Sequence, residues 1–121
     1  MKQKRLLEPI ETELSKYYYS LPKDERKVID KKYRKFIYAE NCTFADEREC
    51  EVWHHLHENW AGAGKSIKAD DIWTIPMLNA YHVPVIEKGY NYADEVLGVD
   101  TMEVITKKII QLHEDFMWVI L

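Results

Sequence analysis

The sequence predicts an α+β fold, and three observations carry that prediction. Apolar residues recur at helical spacing towards both ends, a β-branched apolar run lies in the middle, and a polar, glycine-containing loop precedes that run. At 121 residues and 14.5 kDa the chain suffices for one domain with one modest core. Residues 1–121 are accordingly read as a single domain: a basic helical arm over 1–40, a central unit over 50–90 and a C-terminal helix over 100–117.

The elements follow in chain order. A short helix is predicted over 9–19, with Pro9 in its first turn and Ile10, Leu14, Tyr17 and Tyr18 at helical spacing. Ser20-Leu21-Pro22 breaks it. A second helix over 23–39 places Val28, Ile29, Tyr33, Phe36 and Ile37 on one face, and Lys27, Lys31, Arg34 and Lys35 on another. The run Ile72-Trp73-Thr74-Ile75-Pro76-Met77-Leu78 reads as a strand ending near Pro76. Asn79 is a good N-cap for a short helix containing His82, Pro84 and Glu87, with Gly89 as its stop. Asp100 and Glu103 form a capping-box variant ahead of the apolar face Met102, Ile105, Ile109, Leu112 and Phe116. The apolar end Trp118-Val119-Ile120-Leu121 is expected to pack onto this domain or onto a second copy, which makes a homodimer plausible.

Charge divides the chain unevenly. Residues 1–40 carry eleven Lys/Arg and seven Asp/Glu, a net of +4, while residues 41–121 carry six and fourteen, a net of −8. A basic arm beside an acidic remainder suits a polyanion on the arm and a cation on the rest. The Lys27, Lys31, Arg34 and Lys35 stripe is either a solvated helix face or a row of phosphate contacts. No apolar run reaches the roughly 20 residues of a membrane span. Glu8, Glu11 and Glu13 interrupt the start where a signal peptide needs an apolar stretch. With two cysteines and no export signal, a reducing bacterial cytoplasm is the expected compartment.

Four of the five histidines lie between residues 50 and 90. His54 and His55, adjacent at the end of a strand, point to opposite sides of the backbone. One can therefore ligate a metal while the other faces a substrate. His82 and Glu87 follow on the short helix, where five residues subtend about 140°. Imidazole and carboxylate ligands suit Zn²⁺, Mn²⁺ or, with more waters, Mg²⁺. On composition alone, the same histidines also read as boundary residues beside a tryptophan-rich core. Gly64-Lys65-Ser66 is not a phosphate-binding P-loop, because Asn59 stands where that motif needs its first glycine. A structural zinc site from His54, His57 and the cysteines Cys42 and Cys50 is disfavoured, since His54 and His57 share a face only in a helix.

Residues 51–100 resemble the central block of small phage and prophage HNH-type nucleases, the recombination-enhancement (Ref-like) group. The resemblance is carried by Glu51 with His54-His55-Leu56, and by Gly62-Ala63-Gly64-Lys65 with Asp70 or Asp71. Trp73-Thr74-Ile75-Pro76-Met77-Leu78, Tyr81-His82, Lys88-Gly89 and Gly98-Val99-Asp100 continue it in order. It implies a ββα-metal core, in which a hairpin and a helix grip one divalent ion. It further implies His55 as general base and His54 and His82 as metal ligands. The pattern's third histidine falls on Ile86, so its neighbour Glu87 is the candidate third ligand. The pattern's cysteine after Pro-Leu is absent, and Tyr81 stands for its first paired histidine.

The expectation is a metal-dependent HNH-type endonuclease hydrolysing DNA phosphodiester bonds in phage or prophage DNA processing, with Lys27, Lys31, Arg34, Lys35 and Lys65 on the DNA backbone. The rival is a catalytically silent DNA- or protein-binding relative that keeps the fold with a degenerate metal site.

Overall fold

A computed structural model describes residues 6–64 and 67–120. Its fold is α+β: five α-helices and two small antiparallel sheets among the described residues. No helix there is long and apolar enough to cross a membrane.

Helix α1 spans Glu13–Ser20, and its start is set by a side chain rather than by Pro9. Thr12 accepts from the Ser15 backbone N–H at 3.0 Å, and Ser15 Oγ accepts from the Thr12 N–H at 2.9 Å. This reciprocal cap fixes the first turn four residues inside the predicted one. Leu14 and Tyr18 are buried as expected, while Tyr17 faces water. Helix α2 spans Lys23–Tyr38 and buries Ile29, Tyr33 and Ile37. Val28, expected on that face, is exposed.

A hairpin that the sequence did not announce follows, β1 (Asn41–Cys42) with β2 (Ala45–Glu49). β2 is nearly all charged and presents no alternating apolar pattern to read. Strand β3 (Val52–His55) pairs antiparallel with β4 (Thr74–Met77), with His54 opposite Ile75 and His55 opposite Thr74. The predicted strand thus begins later: Ile72 and Trp73 belong to a 3₁₀ turn and are fully buried. Pro76 is tolerated because β3 and β4 form a two-stranded sheet, and its carbonyl accepts from both Thr43 N and Thr43 Oγ1.

The helix expected over 79–89 divides in two. Helix α3 covers only Asn79–His82, and a separate 3₁₀ turn covers Ile86–Lys88. Pro84 between them has no N–H to continue the helix. Leu78, not Asn79, precedes the first helical residue. Gly89, at φ 104°, ends the turn and leads into helix α4 (Tyr90–Leu97), too short to show a clear helical period in the sequence. Helix α5 runs over Thr101–Ile120, with Asp100 Oδ1 accepting from Glu103 N at 3.2 Å. Ile105, Ile109, Leu112 and Phe116 are buried, and so is His113. The C-terminal end does not pack onto the domain throughout: Trp118 is 78% exposed and Val119 61%. Leu121 lies outside the described residues.

The core gathers these elements around Trp73, Tyr33 and Phe116. The Phe116 ring stands edge-on to Tyr33 at 4.9 Å and is tilted against Phe36 at 5.3 Å, tying α2 to α5. The β3–β4 sheet lies on this framework and carries His54 and His55.

Candidate metal centre and the groove beside it

The strand period separates the paired histidines. His54 is 1% exposed and meets the α3 side of the molecule, whereas His55 stands on the opposite face with Trp53, ring centroids 4.6 Å apart.

Around His54 a cluster forms from three stretches of chain. Its Nδ1 is 3.4 Å from Glu87 Oε1, and its ring lies 5.3 Å from that of His57 and 5.2 Å from that of His82. Glu87 also takes His57 Nε2 at 2.8 Å and His82 Nε2 at 3.1 Å. One donor atom from each of His54, His57 and Glu87 falls within 4.8 Å of the others. His82, through Glu87, stands at the same centre.

The electrostatics of the cluster suit a cation. Neither ring nitrogen of His54 makes a hydrogen bond, although both are buried; the 3.4 Å approach to Glu87 is close but not aligned as one. Burial pushes the His54 imidazole below its usual pKa, against the upward pull of Glu87. The His54 imidazole, with His57 and His82 adding to it, holds the Glu87 carboxyl down at about 2. A buried imidazole without hydrogen-bond partners facing an ionised carboxylate and two further imidazoles is a fitting donor set for Zn²⁺ or a similar ion.

The long connection from β3 to β4 sets His55. Gly62 adopts φ 97° and lies so close to Asp70 that a Cβ there would sit 3.0 Å from Asp70 Oδ2. Tyr19 Oη donates to Asp70 at 2.6 Å and accepts from Trp73 Nε1 at 2.9 Å, fastening the end of the loop to α1 and the core. The next residue, Asp71, then places Oδ1 3.0 Å from His55 Nε2. A carboxylate can only accept, so Nε2 is the nitrogen that donates to Asp71, and Nδ1 is the one turned away from it. Glu51 has a positioning part as well: its Oε1 accepts from the Asn79 N–H at 3.0 Å, at the start of the helix that presents His82.

A groove of about 270 Å³ runs past these groups, lined by His55, His57, His82, Glu87, Lys68, Trp53 and Tyr38. A second hollow of about 320 Å³ shares His55, His57 and Lys68 with it. Another cavity, about 630 Å³ between α1 and α5, lies elsewhere and contains none of these residues.

Of the residues singled out in the sequence, His54, His82 and Glu87 come together, and His55 stands beside them across the strand. His82 and Glu87 do so from two separate elements, so the angle between positions on one helix does not apply to them. His57 joins because the strand ends at His55 and the chain turns away; sharing a face with His54 does not require a helix, which corrects the sequence argument. Cys42 and Cys50 are free thiols outside the cluster, and Cys50 Sγ donates to Val52 O. Lys27, Lys31, Arg34 and Lys35 are all exposed on α2, with the Arg34 guanidinium 5.1 Å above the Trp53 ring. Lys65 lies outside the described residues. Asp71 and Lys68 were not singled out as site residues: only hairpin pairing carries the residue-71 position back to residue 55, and Lys68 has no motif of its own. No protein-family model, no curated protein and no solved structure matches this chain.

Proposed function

We propose that the chain is a metal-dependent endonuclease of the HNH type, hydrolysing DNA phosphodiester bonds at the His54–His55 strand end. The observation that carries this reading is the pairing of unlike histidines on one strand. His54 is buried with both nitrogens unpartnered against Glu87, and His55 is held by Asp71 at a groove. The chain order hairpin, then short helix, with donors on β3, after it, on α3 and on the following turn, supports a ββα-metal arrangement.

His54, His57, His82 and Glu87 would hold the ion. When bound there, a divalent metal stabilises negative charge developing on the phosphoryl and leaving oxygens. His55 Nδ1 accepts the proton of the attacking water, and Asp71 keeps the ring in that tautomer and steadies the imidazolium that results. Lys68, in the groove, supplies a positive charge for a phosphate oxygen, and the Lys27, Lys31, Arg34 and Lys35 face of α2 holds the neighbouring backbone. A second copy of the chain is the expected cover for Trp118 and Val119.

Plasmid nicking is the test. It should require Mn²⁺, Mg²⁺ or Zn²⁺, and His55→Ala should lower it by about a hundredfold or more with little change in melting temperature. Nicking that survives the substitution removes His55 as the base. Metal binding and DNA binding without any nicking would favour the silent relative instead.

A further inference from the structure

The groove has a wall that a phosphate and a metal do not account for. Tyr38 is 40% exposed at the end of α2, and its ring lies 6.2 Å from Trp53. Trp53 in turn carries the Arg34 guanidinium at 5.1 Å and touches His55 at 4.6 Å between ring centroids. Two aromatic rings and the candidate base therefore line one groove, and a planar cation lies over one of the rings. A phosphodiester alone calls for cations and hydrogen-bond donors there, whereas partly exposed aromatic rings match a flat, π-faced partner.

The position of Tyr38 on α2 adds a direction. Lys27, Lys31 and Arg34 precede it at spacings of eleven, seven and four residues, so the basic stripe ends at this ring. A strand whose phosphates follow the stripe arrives at Tyr38 with its next base beside the aromatic pair. The volume of about 270 Å³ falls just short of the roughly 300 Å³ at which drug-sized pockets begin. A groove of this size has room for one base with its phosphate.

We infer that Tyr38 and Trp53 form a stacking subsite for one unpaired nucleobase of the bound strand, so that the favoured nucleic acid is single-stranded at the groove. A base inside a duplex is stacked on its neighbours and offers no free face to these rings. The inference rests on the nuclease reading only in placing the adjoining phosphate by His55; the stacking itself needs neither metal nor cleavage.

The test is therefore run in EDTA. Fluorescence anisotropy compares a short labelled oligothymidylate with the same strand in duplex, at several salt concentrations. The single strand should bind more tightly, and Tyr38→Ala should weaken it about tenfold, the usual loss for one stacked base. Tyr38→Phe, which keeps the ring, should bind as the unsubstituted chain does, and the salt slope should not move, since no phosphate contact is removed. Equal weakening on duplex and single strand, or none, overturns the inference. Should Tyr38→Ala fail to fold by circular dichroism, a strand containing 2-aminopurine decides with the unsubstituted protein. Quenching on binding supports stacking, and undiminished fluorescence overturns it. Duplex nicking that ignores Tyr38→Ala sinks this inference and spares the nuclease; stacking without any nicking does the reverse.

Discussion

Two histidines in this protein are buried to the same degree and live in opposite circumstances. His54 and His113 are each 1% exposed. His113 donates from Nε2 to the Ile72 carbonyl at 2.6 Å and accepts at Nδ1 from Thr12 Oγ1 at 2.7 Å. His54 has neither nitrogen bonded and faces a carboxylate and two more imidazoles. Burial alone is thus no guide to role. What separates a structural histidine from a candidate ligand is whether its lone pair and its proton are already spoken for. His113 ties α5 to α1 and to the residue before Trp73, whereas His54 keeps two ring nitrogens without hydrogen-bond partners.

The contrast can be broken most forcefully at His113. His113→Ala leaves Thr12 Oγ1 and the Ile72 carbonyl without their partner and opens a void. It should cost about 3 kcal/mol or more of stability in chemical denaturation. His54→Ala in metal-free protein removes no hydrogen bond and should cost clearly less. Equal losses would mean that the two sites do not differ as described.

Metal separates them in the other direction. Zinc at about a hundredfold excess over its Kd should stabilise the unsubstituted chain by about 2.7 kcal/mol. The gain should vanish in His54→Ala, shrink in Glu87→Ala and persist in a chain altered only at His113. Calorimetry gives the same answer directly, and an unchanged isotherm for Glu87→Ala would strike that carboxylate from the ligand set.

Acid sharpens the contrast further. Burial pushes the His113 imidazole down to about 4, partly offset by its bond to Ile72. The unfolded chain, near 6.5, therefore binds the proton first. Stability from this group is complete above that value and drains away as pH falls towards about 4. Between about pH 7 and pH 5 the loss should come to about 2 kcal/mol. Measured in a His54→Ala background without metal, the dip belongs to His113, and its absence would show that His113 is not protected from protonation. The smallest effect concerns the helix face. Reversing charge at Lys27 and Lys31 together should weaken DNA binding and reduce the salt slope by about two, one for each lost phosphate contact. Binding that is indifferent to both would make the stripe a solvated surface.

Much of this arrangement is written locally. The faces of α2 and α5 follow from spacing, as Ile29, Tyr33 and Ile37 or Ile105, Ile109 and Phe116 illustrate. The opposite facing of His54 and His55 follows from strand geometry alone. Other features left no local trace. The charged hairpin at 41–49 lacks an apolar period, and α4 has only eight residues to show one. The sequence reading places Pro84 inside one helix ending at Gly89; the structure breaks the helix there, and His82 and Glu87 still meet across the break.

The sequence by itself determined the helices at both ends, the strand that carries the histidine pair and the opposite facing of its two histidines. These depend on covalent periodicity and on which faces exclude water. Only the tertiary structure decided that His57 turns back to Glu87, that Asp71 meets His55 across sixteen residues, and that His113 is fully bonded while His54 is not. Such meetings depend on how separate elements pack, and a pattern along one stretch of chain holds no information about the distance to another.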